Sequence, residues 1–254
     1  MMALSQLREA LALPLSELVT RAHAPVEVAV LDSGVDATHA DLAGRVVAAY
    51  NVVLADGVPA VQEIASNTNN DGFGHGTAVA SIICRLAPNA RIVDVRVLGG
   101  SPVGAGAAMV LGLEEALKRR SRLVNISLAA SAKFSQTLWG LCEKAYRANQ
   151  IVVASRRNMP LHDDGFPAEF SNCISVDREH FESPFKIEFR DDQTIEFAAH
   201  GDDVVAAAPG GGYTTMTGTS FATPTITGIV ALLLGTFPEL RLFEVKSILK
   251  ANAL

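Results

Sequence analysis

Short, β-branched apolar runs alternate with longer stretches of helical character along most of this 254-residue chain. This alternation constrains the fold more than any other feature of the sequence. The apolar runs predict strands at residues 27–31, 92–98, 123–128 and 151–155. The stretches between them predict helices at residues 77–86, 106–120 and 136–149, each long enough to make the crossover between parallel strands. We therefore predict a doubly wound α/β fold, in which helices flank a mostly parallel sheet.

Between residues 170 and 208 the pattern changes from alternating strands and helices to short strands alone. Short alternating strands are predicted there at residues 187–190, 194–199 and 204–208, and a glycine-rich turn and a last pair of helices follow. We find no internal repeat and no interdomain linker. The chain is therefore predicted to form a single domain over residues 1–254, with residues 1–25 as an N-terminal helical extension.

Charge and hydropathy restrict the partners and the location of the protein. The net charge is −6, and no run of basic residues is longer than the three at 118–120, which argues against nucleic acid and anionic membrane surfaces and favours a peptide or protein substrate. Arg8, Glu9 and Glu17 interrupt the N-terminal apolar pattern, unlike a signal peptide, and the apolar run at 226–234 is too short to span a bilayer. We expect a cytoplasmic protein whose oligomeric state the sequence leaves open.

Cysteine usage points to the same compartment. The chain has an odd number of cysteines, Cys84, Cys142 and Cys173, and their spacing is not that of metal ligands. The sequence therefore predicts neither a disulfide framework nor a zinc site. We expect three buried thiols in a reducing environment.

The first candidate for chemistry is an aspartate at the end of a predicted strand. In VAVLDSGVDATHADL, Asp32 follows four apolar residues, which puts its carboxylate at the rim of the sheet, where open α/β sheets bind ligands. A carboxylate held there can orient a histidine. Because Asp-Ser-Gly is also ordinary turn chemistry, a capping role for Asp32 remains the alternative.

The second candidate is a histidine at the start of a predicted helix. In DGFGHGTAVASII, His75 stands between glycines and precedes small residues that allow the helix to press close to the sheet. Such a histidine is less typical of core packing than of function, although a helix-terminal cap or a solvent-exposed imidazole would also fit.

The third candidate is a serine before a long apolar helix. In TMTGTSFATPTITGIVALLL, Ser220 precedes the predicted helix and Pro224 is placed in its first turn. A hydroxyl there feels the positive end of the helix dipole, and its own backbone N–H can point at a developing oxyanion. The alternative is that Thr219 or Ser220 serves only as an N-cap.

Together, Asp-Ser-Gly at 32–34, His-Gly-Thr at 75–77 and Gly-Thr-Ser-Phe-Ala-Thr-Pro at 218–224 resemble the motifs of the subtilisin-like serine peptidases, in the same order. The resemblance runs from about residue 28 to residue 251. It implies a subtilisin-like fold and a serine endopeptidase that hydrolyses peptide bonds through an acyl-enzyme, without a cofactor. Ser220 would be the nucleophile, His75 the general base and then acid, and Asp32 the group that fixes the imidazole. The order Asp, His, Ser also counts against the α/β-hydrolase fold.

The resemblance implies an oxyanion donor and a substrate cleft as well. Asn158, in IVVASRRN, would complete the oxyanion hole with the backbone N–H of Ser220. A surface-loop position of Asn158 is the alternative, because its neighbours depart from the family pattern. The substrate would bind as an added strand, with Gly165 in the far wall of the first specificity pocket. The other residues implied in substrate binding are Ser127, Leu128, Ala129 and Gly100.

The sequence departs from the family pattern in two places. Arg156 and Arg157 stand where relatives usually carry small residues that line the specificity pocket. They would narrow the pocket, favour an acidic substrate side chain, or point outward into solvent, and the sequence leaves these alternatives open. Asp41 matches a calcium ligand of the family, but the loop that supplies the other oxygens is missing, so we predict no bound metal there.

These observations favour an active serine endopeptidase, with a dedicated peptide-maturation protease as the narrower form of that hypothesis. One alternative is a catalytically silent peptide-binding module on the same scaffold, suggested by the arginine pair. Another is a peptide-tailoring acyl transferase, in which an amine rather than water attacks the acyl-enzyme. The sequence does not give the cleavage-site preference.

Overall fold

A computed structural model of the chain describes residues 4–99, 105–158 and 165–254. Its α-helices are α1 Leu4–Ala12, α2 His75–Leu86, α3 Ala105–Lys118, α4 Ser135–Arg147, α5 Thr219–Thr236 and α6 Leu242–Ala251. Short 3-10 helices cover Leu15–Thr20 and Ala132–Phe134. The strands are β1 Val26–Asp32, β2 Val46–Ala55, β3 Val58–Ile64, β4 Ala90–Arg96, β5 Leu123–Ile126, β6 Ile151–Ser155, β7 Ile174–Glu179, β8 Ile187–Phe189, β9 Phe197–His200, β10 Val204–Ala207 and β11 Tyr213–Met216.

Most of these strands form one twisted sheet in the order β3-β2-β4-β1-β5-β6-β7-β9-β8. All neighbours between β2 and β9 pair in parallel, while β3 and β8 are antiparallel strands at the two edges. The strands β10 and β11 form a separate antiparallel pair. The predicted mostly parallel α/β sheet is therefore confirmed.

Both faces of the sheet are covered, which is why the central strands are apolar at almost every position. In β1, Val28 and Val30 point into the core under α2, α5 and α6, whereas Ala29 and Leu31 point into the core under α3 and α4. Residues of the N-terminal segment, Leu13 and Leu18 among others, are buried in the first of these cores, and α1 contacts α6. The three cysteines are buried free thiols, as predicted.

The sequence missed the strands β2, β3, β7 and β11. The hairpin β2–β3 turns through Asp56 and Gly57, both with positive φ, and this two-residue Asp-Gly turn was the signal that could have revealed it. The predicted strand at 194–199 starts instead at Phe197. The bounds of the other predicted strands and helices shift by two residues or fewer.

Helix α5 runs through the centre of the molecule. By length and composition alone its 18 residues could cross a membrane, but 94 % of them are buried inside the protein, as in a core helix. It begins at Thr219 with Gly218 as its N-cap, so Ser220 lies within the helix and Pro224 is its sixth residue. The placement of Pro224 in the first turn was therefore wrong. Because Gly218 holds the N-cap position, neither Thr219 nor Ser220 is the N-cap residue, and that alternative is also wrong.

Helix α5 approaches α2 closely because Gly228 has no side chain. A Cβ atom at position 228 would lie 2.7 Å from Cβ of Leu86, which is closer than real Cβ atoms pack. The small residues of α2 and this glycine therefore set the distance between the helix that begins at His75 and the helix that carries Ser220.

We predict that Gly228→Ala lowers the free energy of unfolding by about 1–3 kcal/mol through overpacking, although alanine is the better helix former. Urea unfolding measures the change. Gly140→Ala is the matched control, because Gly140 is also helical but has no atom within 4 Å of its added Cβ. The control should be neutral or stabilising by up to about 1 kcal/mol. Equal unfolding midpoints for the two variants would contradict the close approach of α2 and α5.

Candidate active site

The polar residues singled out in the sequence meet at the carboxyl edge of the sheet. Strand β1 ends at Asp32, and the neighbouring strand β5 leads directly into Ser127. The next strand, β6, leads through two arginines to Asn158. Parallel strands bring all these ends to one side, so the sheet itself collects the candidate residues.

Asp32 and His75 form a hydrogen-bonded pair. The Asp32 side chain is buried, and its Oδ1 lies 2.7 Å from Nδ1 of His75. The same oxygen accepts a hydrogen bond from the backbone N–H of Ser33 at 2.7 Å. The carboxylate is therefore fixed, and it fixes the imidazole in turn.

Two glycines make this contact possible. A Cβ atom at Gly76 would lie 2.1 Å from the carbonyl oxygen of Gly34, and one at Gly34 would lie 2.2 Å from the carbonyl oxygen of Asn70. Gly34 also has a φ of +104°, which side chains rarely adopt. The turn after Asp32 and the start of α2 are therefore pressed together by backbone contact, which holds His75 within reach of Asp32.

A second buried carboxylate, Asp71, ties the same two segments together, and the sequence reasoning missed it. Its Oδ1 accepts a hydrogen bond from the Ser33 hydroxyl at 2.9 Å, and its Oδ2 accepts one from the Thr77 hydroxyl at 2.6 Å. It also accepts hydrogen bonds from the backbone N–H groups of Phe73, Gly74 and Thr77. Its position four residues before His75 was the available signal.

Asp94 on β4 adds a third link between these segments. Its Oδ2 accepts hydrogen bonds from the backbone N–H of Val35 and from the side-chain amide of Asn70, both at 3.1 Å. Burial, together with the nearby Asp71 and Asp32 charges, outweighs the effect of these hydrogen bonds and raises the pKa of Asp94 to about 7. Because Asp94 lies inside an apolar strand pattern, nothing in the sequence marked it.

The environment of His75 favours its protonated form. Burial acts to lower the pKa of His75, but the charge of Asp32, the hydrogen bond to it and the charge of Asp71 outweigh burial. The net pKa is raised above the ordinary value of 6.5. A cation formed on this imidazole is thus stabilised where it forms.

Ser220 is held through its backbone by the end of β5. Pro224 has no N–H to bond the carbonyl of Ser220 four residues earlier, so that carbonyl instead accepts a hydrogen bond from the Ser127 hydroxyl at 2.9 Å. Ser127 accepts a hydrogen bond from Asn125, which accepts one from Thr227. This buried row of side chains fixes the first turn of α5 against the sheet.

The imidazole of His75 packs against this first turn. Its ring centroid lies 5.1 Å from that of Phe221, the residue after Ser220. In the described residues no hydrogen bond joins the Ser220 hydroxyl to His75. Such bonds between catalytic groups are often long before substrate binds.

Asn158 lies on the other side of the same turn. Its Oδ1 accepts hydrogen bonds from the backbone N–H of Thr219 at 3.3 Å and from the Thr219 hydroxyl at 3.2 Å. With the oxygen engaged, the exposed amide keeps its N–H donors for another acceptor. The hydroxyl of Thr219 also donates to the carbonyl of Arg156 at 2.7 Å, which fixes the segment that carries Asn158.

Of the remaining predicted residues, those in the described part of the chain lie around the end of β5. Ser127, Leu128 and Ala129 follow β5, while Gly165, with a φ of +79°, lies opposite them, and Gly100 lies outside the described residues. Arg156 forms an ion pair with Asp177 at 2.8 Å, and Arg157 donates to the carbonyl of Ala130 at 2.7 Å.

Asp41, the residue considered for calcium, accepts a hydrogen bond from the Tyr213 hydroxyl at 2.8 Å. Over residues 4–99, 105–158 and 165–254, no group of three or more histidine, cysteine or acidic side chains could hold a metal ion.

Comparisons with known proteins agree on one family. A family model described as the subtilase family matches residues 24–254. The chain is 32 % identical to alkaline elastase YaB from Bacillus sp. (strain YaB) over 90 % of its own length, but it spans only 59 % of that relative. It is 30 % identical to subtilisin DY from Bacillus licheniformis, covering 91 % of this chain and 84 % of that one.

The fold is also found among solved structures. The prenylagaramide maturation protease PagA superposes with a TM-score of 0.67 at 24 % identity, over 87 % of this chain and 80 % of PagA. At this level of identity the likeness concerns the fold.

We predict that the pKa of the His75 imidazole lies above 6.5, and that Asp32→Asn lowers this pKa because the opposing charge is lost while burial remains. The pKa is measured from the ring proton resonances by NMR. Glu143→Gln, on α4, is the control, because Glu143 pairs with Arg147 rather than with His75, and it should leave the pKa of His75 in place. An unchanged pKa in Asp32→Asn would show that the two side chains do not interact in solution.

Proposed function

The chain belongs to the subtilase family of serine endopeptidases, and from this premise we propose that it hydrolyses peptide bonds with Asp32, His75 and Ser220 as its catalytic triad. The observation that carries the proposal is the hydrogen bond of 2.7 Å between the buried Asp32 carboxylate and Nδ1 of His75. An imidazole whose Nδ1–H is bound in this way has its Nε2 free to accept a proton.

The chemistry is that of an acyl-enzyme. The Ser220 hydroxyl attacks the carbonyl carbon of the substrate, and Nε2 of His75 takes its proton while Asp32 stabilises the imidazolium. The tetrahedral intermediate collapses as His75 returns that proton to the leaving amine, which leaves an ester on Ser220. Water then attacks the ester with the same proton transfers, and the carboxylic acid product is released.

The negative oxygen of the intermediate needs donors, and two groups are suited to the task. The first N–H groups of α5 have no intrahelical partner, and the helix dipole makes that end positive. The N–H of Thr219 already donates to Oδ1 of Asn158. The N–H of Ser220 is therefore the first N–H of α5 that we propose as a donor to the negative oxygen. The free amide hydrogens of Asn158 provide the second donor of the proposed oxyanion hole.

The raised pKa of His75 sets the direction of the pH dependence. A general base must be unprotonated, so turnover falls as the pH decreases through the raised pKa. The protein is therefore expected to work best at neutral to alkaline pH.

The decisive test is labelling by a fluorophosphonate, which reacts with an activated serine. We expect one label on each wild-type chain and none on Ser220→Ala. Ser247→Ala, which removes an exposed serine on α6, is the control and should label like the wild type. An unlabelled wild type would leave the silent peptide-binding module as the better hypothesis.

The same preparations test the oxyanion donor. Asn158→Ala should still react at Ser220 but lose about 100- to 1000-fold in kcat, the magnitude known when such a donor is removed from subtilisin. Product masses then separate hydrolysis from acyl transfer, because a cyclised or ligated peptide lacks the added water.

We further propose a narrow task, such as the maturation of a particular peptide, rather than general digestion. A large charged side chain, Arg157, directly precedes Asn158, and its hydrogen bond to the carbonyl of Ala130 holds it in place. A cleft built from fixed, bulky side chains discriminates among substrates more strongly than one lined by small residues.

Cleavage-site mapping by mass spectrometry in a denatured proteome tests this narrow task. We expect few cleavage sites that share one sequence pattern. Cleavage at many unrelated sites, lost in Ser220→Ala, would confirm the peptidase and contradict the narrow task.

A further inference from the structure

Next to Ser220, the ends of the neighbouring strands β5 and β6 lie side by side, and we call the space between their continuations the cleft. Beyond β5 the chain continues through residues 127–130, and beyond β6 it continues through residues 156–158. Ala130 forms an antiparallel bridge with Phe166, with N–H···O distances of 2.8 and 3.1 Å, which closes the far end. The near end lies at the first turn of α5, where the Ser127 hydroxyl donates to the Ser220 carbonyl and Oδ1 of Asn158 accepts from the N–H of Thr219.

Arg157 lies across this cleft rather than along one wall. Its backbone belongs to the β6 side, but its Nη2 donates to the carbonyl of Ala130 on the β5 side at 2.7 Å. Crossing from one wall to the other places the half-buried side chain inside the cleft.

The contacts around Gly165 show how little space the arginine leaves. A Cβ atom added at Gly165 would lie 2.7 Å from Cβ of Ala129, 3.0 Å from Nε of Arg157 and 3.2 Å from Cβ of Arg157. The side chains of Ala129 and Arg157 therefore both lie against Gly165, and they leave no space there even for a methyl group. The closed region reaches from the Ala130–Phe166 bridge to the side chain of Arg157.

The neighbouring arginine takes the opposite direction. Arg156 points to Asp177, which Arg190 also contacts at 2.9 Å. Arg156 turns away from residues 127–130 into an ion pair with Asp177, whereas Arg157 reaches across to the carbonyl of Ala130.

We propose that Arg157 restricts the residue on the acyl side of the cleaved bond to small side chains such as glycine, alanine and serine. The inference rests on the proposed function, because it takes the substrate carbonyl to sit between the Ser220 N–H and Asn158. The side chain attached next to that carbonyl enters the mouth of the cleft between residues 127–130 and Arg157. A large side chain would have to displace the arginine from Ala130.

The test measures kcat/KM for peptides that differ only in the residue on the acyl side of the cleaved bond. The wild type should cleave after glycine, alanine or serine at least about tenfold faster than after leucine or phenylalanine. Arg157→Ala should raise the values for leucine and phenylalanine about tenfold or more relative to alanine. The matched variant Arg156→Ala should keep the wild-type preference.

Arg157→Met separates size from charge, because methionine keeps much of the bulk without the guanidinium. A preference for small residues that survives in Arg157→Met supports the proposal. If the wild type cleaves after aspartate or glutamate and Arg157→Met does not, the guanidinium binds an acidic substrate side chain. That result would overturn the proposal. A wild-type preference for leucine or phenylalanine would overturn it as well. If Arg157→Ala does not fold, the profiles of the wild type and Arg157→Met decide.

Fluorophosphonate labelling of every preparation keeps this inference separate from the proposed function. A labelled wild type that prefers large side chains contradicts only the role of Arg157. A wild type that neither labels nor cleaves any of the peptides contradicts the peptidase itself, and the inference on Arg157 falls with it.

Discussion

The hydrogen bond between the buried Asp32 carboxylate and His75 is the interaction on which the rest of the site depends. A carboxylate without solvent must be paired and hydrogen-bonded, and the imidazole supplies that partner. The surrounding structure serves to hold these two groups together. Gly34 and Gly76 allow the backbones to touch, and Asp71 bonds to both segments.

The first turn of α5 is positioned by a different device. A proline inside a helix leaves one carbonyl without its usual partner, and in a buried helix that group needs another donor. Ser127 provides it, so the defect in the helix becomes a link between α5 and the end of β5. Ser127 therefore contacts the proposed nucleophile, Ser220, and also belongs to the proposed substrate cleft. One residue thus positions both parts of the site.

Much of the fold could be predicted because local patterns and tertiary structure agree. The central strands are buried on both faces and therefore apolar throughout, and β6 was predicted to the residue. Strand β3 lies at one edge of the sheet and is largely exposed, so its composition carries a weaker apolar signal. Strand β2 is apolar at every position but Asn51, and its signal was overlooked. The start of α5 was misplaced because Pro224 was read by its preference for first turns, whereas burial and the Ser127 bond accommodate it deeper in the helix.

The sequence by itself determined the parallel α/β architecture and singled out Asp32, His75, Ser220 and Asn158, because short motifs encode local chemistry at strand ends and helix starts. Only the tertiary structure decided what Asp71, Asp94 and the two arginines do. The partners that decide their roles are far away in the sequence, as Ser33 is for Asp71, Asp177 for Arg156 and Ala130 for Arg157. A side chain's direction follows from what the fold places around it, and no local pattern records that.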